Sequence, residues 1–306
     1  MVLAVASLFV GVIDLSAGGL LTGSDDWWLL AASRLPRTLA ILLAGVALPI
    51  CGLLMQQLAR NRFVEPSTAG TVDAATLGLL VVTLLAPGLP VLGKLGAASV
   101  FALAGTAVFL LLLRRIPLRS IVMVPLVGLM FGGVIAAGSG FLAYRFDLLQ
   151  ALNGWMIGDF SGMVAGRYEL LWIAVALTAV AWLLADRFTV AGMGDAFTTN
   201  LGLNYRRILA VGLALVAVIT AIVVVTVGSI PFLGLIVPNV VAAFVGDNVR
   251  RGVPWVATLG AGFLLACDLV GRLVRFPYEI PLGVVVGVIG SVLFVHLLLR
   301  RPGAPR

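Results

Sequence analysis

Few residues in this chain could do covalent chemistry. Gly88-Leu-Pro-Val-Leu-Gly93-Lys94 matches the first seven positions of a phosphate-binding loop. Leu95 then stands where Ser or Thr must hold the magnesium ion, and no strand precedes the run, so the match is chance. His296 is the only histidine, which rules out a paired-histidine zinc site. Cys51 and Cys267 lie in apolar runs without metal-ligand spacing. Two acids, Asp73 and Asp268, also fall inside apolar runs. A charge at membrane depth costs roughly 3 kcal/mol on insertion scales, so such an acid faces protein or water. Asp268 has Arg272 four residues on, which predicts a structural ion pair one helical turn apart. Asp73 has no partner in its own run; contact with another helix and a place near a transport path both stay open. No serine–histidine or paired-carboxylate arrangement stands out. An intramembrane enzyme is the weaker class, no cofactor is expected in this chain, and any energy source resides elsewhere.

The elements that hold these residues are membrane spans. Of 306 residues, 61% are apolar and only 11% charged, against roughly 25% charged in soluble domains. A water-facing surface needs more polar cover than that, and a spanning helix takes about 20 apolar residues. The spans predicted are Val2–Leu15, Leu35–Leu58, Thr68–Leu85, Leu95–Leu113, Ile121–Tyr144, Leu170–Ala185, Ile208–Val227, Ile230–Val245, Trp255–Val274 and Ile280–Leu299. The expected fold is an all-α membrane protein of about ten transmembrane helices, a single domain over residues 1–306. The first span is short and the least secure. It lacks a positive leading region, which disfavours a cleavable signal peptide.

The net charge of +7 sits in short clusters between apolar runs, so it reads as a topology determinant and not as a nucleic-acid surface. With the N-terminus inside, the inner side holds Arg60, Arg62, Arg114, Arg115, Arg119, Arg187, Arg206, Arg207, Arg250, Arg251, Arg300, Arg301 and Arg306. The outer side keeps Arg34, Arg37, Lys94, Arg145, Arg167, Arg272 and Arg275. This bias predicts N-in, C-in. Two loops exceed a tight turn. Tyr144–Glu169, outside, carries Trp155, Met156 and Phe160 and suits a short interfacial helix. Residues 186–207, inside, suit contact with a soluble partner. Glycine stripes at Gly128, Gly132, Gly133 and Gly140, and at Gly283, Gly287 and Gly290, predict close helix packing; lining of a path is the sharper alternative.

Five blocks in order resemble FecCD-type permeases, the membrane subunits of ABC importers for ferric siderophores, haem and cobalamin. They are Arg34-Leu-Pro-Arg37-Thr-Leu-Ala40 with Gln56–Asn61, Leu201-Gly202-Leu203-Asn204, Gly228-Ser-Ile-Pro-Phe-Leu-Gly-Leu-Ile-Val-Pro238, Asp268-Leu-Val-Gly-Arg272, and Glu279-Ile-Pro-Leu-Gly283. The resemblance implies the type II ABC importer permease fold. It also implies a second permease chain, two ATPase subunits that bind ATP and magnesium, and an extracytoplasmic binding protein, all at a bacterial inner membrane. Three positions depart from the family pattern: Asn61-Arg62-Phe63 for Asn-Pro-Leu, Val237-Pro238-Asn239 for Val-Pro-His, and Asp73 for a small or amide residue. The combination is most similar to permeases for catecholate and carboxylate siderophores, which often pair with a different permease chain.

The resemblance also assigns roles. Arg34, Arg37 and Arg272, at outer helix ends, would meet carboxylates of the binding protein; the bland alternative is interfacial snorkelling. Gly194, Asp195, Ala196, Leu201, Gly202, Leu203 and Asn204 would form the ATPase coupling element, as two short helices with a turn at Gly202 and Asn200 as a cap. Asn61 and Phe63 would lie at a cytoplasmic gate. The function expected is passage of an iron chelate, with a haem or cobalamin permease as an alternative. A secondary transporter coupled to ions is a second class, for which Asp73 and the Pro238 kink are the only hints.

Overall fold

The computed structural model describes residues 2–10, 26–115 and 123–299, and among these every regular element is a helix. Arg119, Arg300, Arg301 and Arg306, with parts of the first and fifth predicted spans, lie outside the described residues.

Each of the ten predicted spans overlaps a helix, the first only over Val2–Phe9. They are α1 (Val2–Phe9), α2 (Leu35–Ala59), α3 (Thr71–Leu85), α4 (Val91–Arg115), α5 (Met123–Arg145), α7 (Leu170–Leu183), α10 (Tyr205–Val227), α11 (Leu233–Val245), α12 (Val249–Leu273) and α13 (Leu282–Leu299). Between them lie α6 (Leu149–Met156), α8 (Ala185–Gly192) and α9 (Asp195–Asn200). A π-helical turn, Leu30–Arg34, leads into α2. Among the described residues, five helices are long and apolar enough to cross a membrane alone. The pair α7 and α8, bent by 65°, reaches that length only if counted as one span, while α3, α11 and α13 are apolar but shorter.

The short helices have a local cause. The predicted eighth span started at Ile230, but Gly228 (φ 85°) and Phe232 (φ 64°) both take left-handed backbone, with Pro231 between them. No helix runs through that geometry, so α11 begins only at Leu233. Similarly, Arg60 ends α2 in the left-handed region, and its N–H returns to the carbonyls of Gln56 and Gln57.

Helix α2 is the hub. Its neighbours include α7, α10, α11 and α12, and a helix apolar on every side belongs in the middle of a bundle. Contact is set by glycine. A Cβ on Gly52 would stand 1.8 Å from the Gly234 carbonyl oxygen on α11. One on Gly45 would stand 2.7 Å from the Ala261 Cα on α12. Close approach of this sort replaces the hydrophobic driving force that lipid cannot supply between helices. The predicted stripe on α5 divides. Gly128 and Gly132 meet Thr68 and Asp73, whereas Gly133 and Gly140 face open space. On α13, Gly283 packs on Gly158, and Gly290 on Phe232.

Gly52→Val is expected to destabilise the chain by more than the roughly 1–3 kcal/mol of ordinary overpacking, because the obstacle is backbone. Thermal melting in detergent measures this. Gly96→Ala, which adds a Cβ with nothing within 4 Å, should melt with the wild type.

Candidate functional site

The two ends of the bundle carry different chemistry. At the N-terminal end of α2, five charged residues converge. Arg37 donates from Nη2 to Asp268 Oδ1 at 2.9 Å and from Nη1 to Glu279 Oε2 at 2.6 Å. Arg272 pairs with the other Asp268 oxygen, one turn along α12. Arg272 Nη1 also donates to the carbonyls of Ser7 (3.0 Å) and Val10 (2.9 Å), and Arg34 Nη1 to the Val10 carbonyl at 2.5 Å. One knot of charge thus fastens the C-terminal end of α1, the start of α2, the end of α12 and the turn before α13.

This corrects the expected presentation of the three arginines. They do gather at one end, but Arg34 and Arg272 are only 9% and 4% exposed, and Arg37 is committed to two carboxylates. A guanidinium desolvated in this way stays buried because its counter-charge is in place. Arg145, Arg167 and Arg275 are the exposed arginines of this end. Glu279 was quoted in a sequence block without a role. Its signal was the surplus of arginine over acid at that end: one aspartate cannot neutralise both Arg37 and Arg272.

Toward the other end the chain leaves α2 and doubles back. Asn61 N–H donates to the Gln56 carbonyl, and the Asn61 side chain accepts from Phe63 N–H at 2.8 Å. That turn aims the chain inward, and Glu65 ends up inside the bundle at 2% exposure. Its carboxylate accepts from Phe232 N–H at 2.8 Å, and the N–H groups of Gly234 and Leu235 act on it too. Ser67 donates to it as well. A helix that starts inside a bundle has orphan N–H groups and no water to take them. Glu65 supplies the acceptor and also answers the positive end of the helix dipole. The depth follows from Gly234 touching Gly52, seven residues before the end of α2, or about 10 Å at 1.5 Å per residue.

Around this carboxylate, Phe63 meets Phe294 edge-on at 6.0 Å and Phe232 stacks on Phe294 at 6.2 Å. Asn239, in the departing Val-Pro-Asn block, donates to the Arg62 carbonyl at 2.7 Å. The structure therefore brings Asn61 and Phe63 together with α11 and α13. Beneath them opens a cavity of about 330 Å³ with mixed walls, Gln56, Asn61, Arg62, Asn239 and Asp247 beside Leu53, Val241 and Val256. Arg62 reaches Asp247 at 2.6 Å across its mouth, and both are well exposed, which keeps that pair weak.

Asp73 is remote from both ends. It occupies the first turn of α3, after Gly70 (φ 74°), and its Oδ2 is 2.6 Å from where a Cβ on Gly132 would be. The missing side chain on α5 makes room for it, and the helix start favours an acid.

Residues 186–207 form α8, α9 and a turn at Gly202 (φ 75°). Asn200 ends α9; the cap belongs to Asn204, whose side chain accepts from Arg207 N–H at 3.0 Å. Thr198 was missed. Fully buried, it donates to the Gly194 carbonyl at 2.7 Å, and its own carbonyl accepts from Leu203 N–H. These bonds close the segment into a rigid knuckle, with Asp195, Ala196 and Leu201 exposed upon it. The outer loop also forms its predicted short helix, α6, but Phe160 is buried and the Trp155 carbonyl accepts from Ser229 N–H. That loop is thus bonded to the bundle.

Against known proteins, the profile of the FecCD transport family matches residues 1–300. The petrobactin import system permease protein YclN of Bacillus subtilis is 49% identical, covering 98% of this chain and 95% of its own. The ferric-anguibactin transport system permease protein FatD of Vibrio anguillarum is 41% identical, covering 97% and 95%. The vitamin B12 import system permease protein BtuC of Citrobacter koseri is 33% identical, covering 97% and 93%. A solved structure of an inward-facing metal-chelate type ABC transporter superposes with a TM-score of 0.82 at 24% identity, covering 98% of this chain and 96% of that one.

Proposed function

The chain belongs to the FecCD transport family, and from that premise we propose that it is the permease subunit of an ATP-driven importer. It passes a ferric siderophore across the cytoplasmic membrane of a bacterium. One observation carries the substrate class: similarity over nearly the whole chain is 49% and 41% to the petrobactin and anguibactin permeases and 33% to a vitamin B12 permease.

Within that reading the Asn61 end faces the cytoplasm, as the arginine bias supports. ATP and magnesium bind on a separate ATPase pair. The knuckle of Gly194, Asp195, Ala196, Leu201, Gly202, Leu203 and Asn204 is the part the ATPase pushes on, and its internal hydrogen bonds suit it to transmit force. Asn61 and Phe63, with Phe232 and Phe294, close the path on the cytoplasmic side. An extracytoplasmic binding protein docks at the Arg37 end. There Arg34, Arg37 and Arg272 set the shape of the platform, and exposed neighbours such as Arg275 offer the charges that steer encounter. A second permease chain, of a different sequence, completes the path. Asp268, already paired with two arginines, is structural; Asp73 packs on α5 and carries no ion-coupling step.

Co-expression with the second permease, the ATPase and the binding protein, followed by reconstitution, tests this. ATP-dependent uptake of a radiolabelled ferric catecholate or carboxylate siderophore is the expected result. Gly202→Val, strained at positive φ, should leave the complex assembled and ATP hydrolysis running while uptake falls. Uptake driven by an ion gradient without ATP would reverse the assignment.

A further inference from the structure

A groove of about 480 Å³ lies between the bend joining α7 to α8 and the first two turns of α10. We propose that it binds an anionic phospholipid, with Arg187 and Arg207 holding the phosphate of the headgroup. The proposal rests on the membrane reading, not on the coupling role of the knuckle, which shares the groove's rim at Gly202, Leu203 and Asn204.

The two arginines stand at the groove's mouth, exposed, and neither has a carboxylate partner among the described residues. Two other arginines of this end are paired, Arg62 with Asp247 and Arg250 with Asp186 at 2.5 Å. No acid lines the groove. Leu184, Phe188, Ile208 and Val211 give it apolar wall, and Gly202, Leu203 and Asn204 of the knuckle form one rim. Arg207 and Val211 are four residues apart on α10 and so share one stripe, and the charged mouth leads straight down onto apolar wall. Val211 is 38% exposed and Leu183, at the end of α7, is 71% exposed. The apolar side therefore opens sideways onto the face that acyl chains cover. Charge above, hydrocarbon alongside and a volume in the range of small-molecule pockets match a phospholipid. Basic pockets between helices on the cytoplasmic side are where such headgroups bind. A soluble partner on the Gly202 turn would meet the rim of the groove, whereas Val211 lies about 6 Å farther along α10 from Arg207.

The test uses the full chain purified in neutral detergent and titrated with phosphatidylglycerol or phosphatidylcholine of the same acyl length. Bound lipid is read by native mass spectrometry and stability by thermal melting. Phosphatidylglycerol should be retained and raise the melting temperature; phosphatidylcholine should do neither. Arg187→Gln with Arg207→Gln should weaken retention about thirtyfold, from two losses of about fivefold, each equivalent to about 1 kcal/mol per basic group at an anionic surface. Arg187→Lys with Arg207→Lys should keep most of it. Equal retention of both lipids, or full retention by the double Gln variant, overturns the site. A shift of equal size with inorganic phosphate alone overturns the lipid as its occupant. Phosphatidylglycerol displaced when the ATPase subunits bind would assign the groove to the ATPase and overturn the proposal too. Loss of uptake in reconstitution would not bear on it.

Discussion

Asp268→Ala is expected to remove most folded protein from the membrane. The Asp268 side chain is 1% exposed and takes a guanidinium on each oxygen, Arg37 on one and Arg272 on the other. Without it two buried cations share only Glu279, which is 26% exposed. Breaking a buried pair by removing one partner costs about 3–5 kcal/mol, a large part of a typical folding free energy of about 5–15 kcal/mol. The loss falls where α1, α2, α12 and the turn before α13 are fastened, so all four should loosen together. Glu279→Gln should cost far less, since water reaches that carboxylate and Asp268 still answers Arg37. Detergent-extracted yield and thermal melting of the two variants give the comparison. Wild-type melting of Asp268→Ala would show that the arginines do not depend on it. They would then be free to serve as docking charges themselves.

Glu65→Ala is expected to abolish uptake and lower stability by about 2–3 kcal/mol. Removing the buried acceptor leaves the Phe232 N–H unsatisfied, which costs about 1–3 kcal/mol, and the vacated space adds a packing loss. Its consequences are larger than its stability term. Glu65 ties the Asn61–Phe63 turn to the start of α11, so its loss frees both sides of the proposed cytoplasmic closure at once. A shift of 2 kcal/mol in the closure equilibrium changes populations more than tenfold. Glu65→Gln keeps an acceptor oxygen and loses the charge, and should fall between Ala and wild type. ATP-driven uptake and melting, read in parallel, separate closure from folding. Wild-type uptake by Glu65→Ala would remove this residue from the mechanism.

The contrast between these two acids marks what the sequence made legible. Asp268 was found because it sits within an apolar run and has Arg272 one turn on, a pattern local to one helix. Its second partner, Arg37, lies 231 residues away, and no spacing rule reaches that far. Glu65 was passed over because it falls between two predicted spans, where an acid looks ordinary. Only the doubling-back of residues 61–70 takes it to membrane depth, and that path depends on tertiary contact at Gly52 and Gly234. The spans themselves were legible because lipid imposes a length and a composition. Where a helix starts inside the protein, as α11 does, that constraint lapses and the predicted start moved from Ile230 to Leu233. Charge type was legible at Arg34, Arg37 and Arg272, but direction was not. Arginine at a helix end can reach outward or fold inward; Asp268 and Glu279 turned Arg37 and Arg272 inward, and the Val10 carbonyl holds Arg34. The knuckle was legible as a position and a turn, since Gly202 marks the turn. Its rigidity was not, because Thr198 acts through side-chain and backbone bonds that no local spacing marks.

The contact of Gly52 with Gly234 has a mechanical consequence. Side chains between two helices act as bearings, changing rotamer so that one helix can slide on the other. Here backbone rests on backbone, and no bearing is present. Helix α2, the Asn61–Glu65 turn and α11 therefore travel as one stiff spoke. The joints of a transport cycle must lie at its rim, where Gly228 and Gly246 bracket α11 with positive φ and the chain breaks by 65° between α7 and α8.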